Sequence, residues 1–162
     1  MQTPPSKFRR DSYSESNQLG IDLITRFLVR RGFDVPNRPE DYKVDIHAYK
    51  EGKKYLIEAE VRRGLHFTSQ ETFPFDTVSF LARKKKYQLD QPFWYFLVCR
   101  ETQYCLFANS KDIFQERHKV VKRINTTRRS GMDTVYHVPL SKCQFRNLNE
   151  QSKFTPKVSA TI

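Results

Sequence analysis

Residues 42–63 read Tyr-Lys-Val-Asp-Ile-His-Ala-Tyr-Lys-Glu-Gly-Lys-Lys-Tyr-Leu-Ile-Glu-Ala-Glu-Val-Arg-Arg, and this stretch decides the architecture. Val44, Ile46 and Ala48 alternate with Asp45, His47 and Tyr49, and Ile57, Ala59 and Val61 alternate with Glu58 and Glu60. Lys50-Glu51-Gly52-Lys53 supplies turn chemistry between the two runs, so the pattern predicts a β-hairpin. Side chains alternate across a strand, which places Glu58 and Glu60 on one face and Ile57, Ala59 and Val61 on the other. Pairing of the strands is expected to carry Asp45 to the same edge, so that three carboxylates converge. Like charges repel, and a cation relieves such a cluster; hard oxygen ligands suit Mg²⁺ or Mn²⁺. The plain alternative is that Glu58 and Glu60 form the wet face of a strand opposite Lys53 and Lys54.

Working outward, Leu19, Leu23, Ile24, Phe27 and Leu28 recur at three- and four-residue steps and predict a helix over Glu15–Arg31. Ser12 or Ser14 offers its N-cap, Arg30 and Arg31 suit the dipole of its last turn, and Gly32 ends it. Residues 36–41 hold two prolines and read as loop, and 65–74 read as irregular. Thr77–Leu81 reads as a third strand, followed by a short basic helix or turn that contains Arg83-Lys84-Lys85-Lys86-Tyr87. Phe93–Cys99 is a near-continuous apolar run, the mark of a central strand buried on both faces, and Tyr104–Ala108 is its returning partner. Ser110 is placed as the cap of a short helix over 111–118. Residues 119–131 carry five cations and no acid and read as a phosphate-contacting loop. Thr134–Pro139 reads as a late edge strand.

The chain has 162 residues, enough for one domain that folds without structural metal or disulfides. Residues 1–13 read as a flexible basic arm, 14–148 as a single domain and 149–162 as a loose tail. The expected fold class is α/β, with a mixed central sheet of about five strands flanked by helices. Lys plus Arg number 29 against 18 Asp plus Glu, a formal net charge of +11. That surplus attracts polyanions, nucleic acid first among them. Cys99, Cys105 and Cys143 lack zinc spacing and read as buried thiols. The four histidines show no metal spacing either; His47 is read as a supporting residue or a plain surface one. No signal peptide or long apolar run is present, which predicts a soluble cytoplasmic protein with no membrane partner. No phosphate-binding glycine loop, nucleophile elbow, CxxC pair or HExxH occurs, and most enzyme classes go with them.

Asp45, a spacer holding a turn, and then Glu58-Ala59-Glu60 in an apolar strand resemble the PD-(D/E)XK nuclease superfamily. The usual motif ends in lysine; Glu60 stands there instead, a Glu-x-Glu form found in a minority of the superfamily, and Val44 stands where a proline usually precedes the aspartate. A leading helix with an early acid, and a strand followed by a basic cluster, add to the resemblance, which covers about residues 14–108. It implies a restriction-endonuclease-like core and metal-dependent hydrolysis of phosphodiester bonds, DNA being the substrate. Asp45, Glu58 and the Ala59 carbonyl would hold the metal, with Glu15 reaching it through water or serving as a first-turn acid. Glu60 would act as general base or second-metal ligand, and Lys84 or Lys85 as a migrated motif lysine. Arg62, Arg83, Lys84, Lys85, Lys86, Lys122, Arg123, Arg128 and Arg129 are the expected nucleic-acid contacts. The oligomeric state stays open, a homodimer being common among duplex cutters of this kind. The second reading is a nuclease-like fold without catalysis that binds nucleic acid or assembles with other factors; the third is a basic factor that meets an acidic protein.

Overall fold

A computed structural model describes residues 10–37, 44–88, 91–126 and 129–150, with 10–14, 124–126 and 129–130 described by backbone alone. The chain opens with α1 (Arg10–Arg30), which begins earlier than the capping signals predict and takes in part of the expected arm. β1 (Ile46–Lys50) and β2 (Lys53–Arg62) form the hairpin in the predicted antiparallel register, with Ile46 opposite Ile57 and Lys50 opposite Lys53. Glu51 and Gly52 both have positive φ, +52° and +74°. That is the two-residue turn whose twist matches the flanking strands, and Gly52 meets its demand without a Cβ penalty.

β3 (Thr77–Leu81) leads into a 3₁₀ turn at Ala82–Tyr87, then come β4 (Phe93–Cys99) and β5 (Tyr104–Asn109). β4 runs parallel to β2, with Glu58 level with Tyr95, and antiparallel to β5. β8 (Gln144–Asn147) closes a mixed five-stranded sheet in the order β1-β2-β4-β5-β8. The expected α/β class and five-stranded sheet are therefore present. Between β5 and β8 lie α2 (Ser110–Ile113), β6 (Lys119–Thr126) and β7 (Arg129–Pro139).

One face of the sheet is covered by α1, as its apolar stripe requires: Leu23, Ile24, Phe27 and Leu28 are buried with Ile57, Ala59, Phe96 and Val98. The other face is covered differently from expectation. β3, β7 and β6 pair into a second, three-stranded sheet, whose Val78, Phe80, Tyr136 and Val138 pack on Phe93, Tyr95 and Leu97. β7 is thus the central strand of that sheet, not an edge strand. The basic segment expected to be a loop is mostly the β6 strand of a hairpin, with Lys122 opposite Asp133 and Arg123 opposite Met132. Charge suggested a loop there, but Val120, Ile124 and the paired run on β7 offer a full ladder of backbone hydrogen bonds, which overrides composition. A smaller correction concerns α2: Asn109 caps it, its Oδ1 accepting the Lys111 N–H at 3.0 Å. The Ser110 hydroxyl instead accepts from the Phe93 N–H at 2.9 Å inside the core. All three cysteines are buried free thiols. Among the described residues no helix is long and apolar enough to cross a membrane.

Candidate active site

The hairpin register carries Asp45, the residue before β1, to the position opposite Glu58. There its Oδ2 accepts the backbone N–H of Ala59 at 2.9 Å, and the side chain of Asn17 on α1 hydrogen-bonds to it as well. Glu58 projects from β2 toward the second sheet and is 2% exposed. Strand alternation dictates this, because Ile57 and Ala59 are committed to α1 on the other face. The third member arrives from the 3₁₀ turn after β3. Lys84 donates its ammonium to Glu58 Oε1 and lies 5.4 Å from the centre of the Tyr87 ring.

The electrostatics follow from burial. Desolvation, reinforced by the Asp45 charge, pushes Glu58 up from its usual 4.5 to about 7 against the pull of Lys84. Asp45 is also raised by burial, though the Ala59 N–H and Lys84 oppose the rise. For Lys84, burial alone works against the charge, yet the Glu58 carboxylate and its hydrogen bond outweigh it and hold the ammonium above its ordinary value. Lys84 is therefore charged at pH 7. The Glu58 carboxyl hydrogen-bonds the Asp45 carboxyl when one of the two is protonated; with both ionised, its Oε2 is buried with no hydrogen-bond donor among the described residues. An acceptor in that state is costly until a proton or a cation reaches it.

No family model, curated protein or solved structure matches the chain.

Glu60 sits apart from this centre, held from two sides. Arg62 Nε donates to its Oε1 at 2.9 Å and the Tyr95 hydroxyl donates to its Oε2 at 2.5 Å. The Arg62 guanidinium also donates to the Ser79 carbonyl on β3 at 2.5 Å, so the group ties β2 to the second sheet. The expected convergence of three carboxylates is thus replaced by a pair plus a clamp. Among the described residues no set of three or more His, Cys, Asp or Glu side chains is grouped to hold a metal ion. The reason is local: an arginine two positions along the same strand face and a tyrosine on β4 satisfy Glu60 more directly than a cation would.

Of the remaining expected residues, Glu15 is exposed on α1, and Asn17 is the helix residue that reaches Asp45. Arg83, Lys85 and Lys86 are exposed around the half-buried Lys84, and Lys122 and Arg123 are exposed on β6. Arg128 lies outside the described residues, and Arg129 opens β7 by backbone alone. Sequence reasoning missed Tyr95 and Asn17. Tyr95 was legible in principle as a hydroxyl inside an otherwise apolar run; nothing in the sequence marks Asn17.

Proposed function

We propose that the protein is a metal-dependent nuclease that hydrolyses phosphodiester bonds, with DNA as its substrate. The observation that carries this reading is the buried Asp45–Glu58 pair, with a free carboxylate oxygen on Glu58 and the ammonium of Lys84 alongside. The donor set fits a hard divalent ion: two carboxylates face each other, one oxygen lacks a partner, and burial leaves the pair reluctant to carry both charges unaided. Asp45 and Glu58 would hold Mg²⁺ or Mn²⁺, which when bound polarises a phosphoryl oxygen and acidifies a water molecule.

The chain's own groups have separate tasks. Asp45 is fixed by the Ala59 N–H and the Asn17 side chain, so its carboxylate keeps one direction without a search through rotamers. Glu58 carries a proton below about pH 7 and surrenders it when a cation competes. Lys84 is the migrated counterpart of the missing motif lysine. Its ammonium stabilises the charge that builds on the phosphoryl oxygens, in a setting too dry for bulk water to do so. Glu60 is assigned a positioning role, holding Arg62 against β3, in place of the general-base role its sequence position implies. Arg83, Lys85 and Lys86 surround the centre with positive charge that attracts the backbone of the substrate.

The test is cleavage of labelled linear, nicked and branched DNA in Mg²⁺, Mn²⁺ or EDTA, beside Glu58→Ala. Cleavage that requires metal and disappears in the variant is expected. Tight binding without cutting by the wild type would remove the catalytic claim and leave a nucleic-acid-binding module.

A further inference from the structure

The same face of β2 ends at Arg62, about 13 Å past Glu58 at roughly 3.3 Å per residue. There the strand, the loop after it and the outer face of the second sheet enclose a groove of about 430 Å³. Its lining includes Arg62, Arg63, Lys122, His137, Phe73 and Phe75. Phe75 is 62% exposed, a large apolar ring left in water at the groove, with Phe73 packed edge-on behind it at 6.3 Å. His137 Nε2 is buried without a hydrogen-bond partner among the described residues. Lys122 enters because it shares the outer face of the second sheet with His137 and Ser79. Three cations, an exposed aromatic face and an unmet polar atom are the chemistry of a nucleotide: phosphate on the cations, base on the ring. The volume falls in the range of small-molecule sites.

Resting on the nuclease reading for its register with the Asp45–Glu58 centre, we infer that this groove holds an unpaired nucleotide flanking the scissile phosphate. Its phosphate lies against Lys122 and Arg63, and its base stacks on Phe75. A base inside a duplex has no free face to offer that ring, so the groove selects a single-stranded stretch. Arg62 links the two places, since it is bonded to Glu60 on one side and to the Ser79 carbonyl in the groove wall on the other.

The experiment is equilibrium binding of a fluorescently labelled single-stranded oligothymidylate in EDTA, where cleavage plays no part. Wild type is compared with Phe75→Ala, Phe75→Leu, Lys122→Ala and Lys53→Ala, the last an exposed cation at the opposite end of β2. Loss of the stacking ring is expected to weaken binding about tenfold in both Phe75 variants. Lys122→Ala is expected to shallow the salt dependence by about 0.7 in the log–log slope, the loss of one phosphate contact on a single strand. Lys53→Ala should match the wild type, and a duplex of matching length should be indifferent to Phe75. The inference is overturned if both Phe75 variants bind as the wild type does, or if Lys53→Ala costs as much as Lys122→Ala. Because binding is read without metal, a Phe75 effect beside absent cleavage would keep the groove and remove the nuclease.

Discussion

Replacing Lys84 with methionine isolates the electrostatics of the centre. The Lys84 and Glu58 side chains are 17% and 3% exposed, so solvent screens their pairing little. Methionine keeps most of the volume and removes the charge. Glu58 then loses the partner that opposes its rise, and its pKa moves from about 7 into the range of unpaired buried glutamates, about 8–9. A carboxyl whose folded pKa lies above its unfolded value stabilises the fold while protonated and loses that contribution as pH rises through the folded pKa. In the wild type the loss runs from about pH 4.5 to 7; in the variant it continues to about 8–9. At about 1.4 kcal/mol per pKa unit, the variant is destabilised by a further ~1–3 kcal/mol at pH 9 compared with pH 6. Urea unfolding of both proteins in EDTA at pH 6 and pH 9 measures it. A stability difference that is the same at the two pH values would refute the proposed coupling of Glu58 to Lys84.

Other consequences are equally specific. Affinity for Mn²⁺, measured by calorimetry, should fall about tenfold per unit as pH drops below about 7, because a proton on Glu58 competes with the ion; pH-independent affinity would place the ion elsewhere. A Cβ on Gly20 would lie 2.6 Å from Val61 Cγ2, and valine has little rotamer freedom to yield. Gly20→Ala should therefore unfold at lower denaturant by about 1–3 kcal/mol less the helix-propensity gain, and a variant as stable as the wild type would contradict such a close seat for α1 on β2. Tyr95→Phe removes the hydroxyl bonded to Glu60 and should cost about 1.5 kcal/mol while retaining metal-dependent cleavage. Complete loss of cutting in a folded Tyr95→Phe protein would move Glu60 into the chemistry.

The sheet was legible because its signals were local. The hairpin is written in alternation plus a Glu-Gly turn, α1 in a periodic apolar stripe, and β4 in a run too apolar to face water. The second sheet was not legible, because β3 pairs with β7 across a long separation in sequence and no local pattern announces that pairing. The basic character of β6 hid it further, since strand propensity there depends on its neighbours on β7. At the site, spacing alone brings Asp45 to Glu58, because hairpin register follows from the turn. Spacing could not separate Lys84 from Lys85, as only the 3₁₀ geometry after β3 turns one inward and leaves the other exposed. Nor could it foresee that Tyr95 and Arg62 claim Glu60.

That choice between neighbouring lysines gives the most direct test of the account. Single-turnover cleavage of saturating DNA in Mg²⁺, with Lys84→Ala and Lys85→Ala compared and folding checked by circular dichroism, reads it out. The account predicts that Lys84→Ala loses the chemical step while Lys85→Ala keeps it and at most binds more weakly. Equal rates in the two variants, or a folded Lys84→Ala protein as fast as the wild type, would contradict the Asp45–Glu58–Lys84 centre.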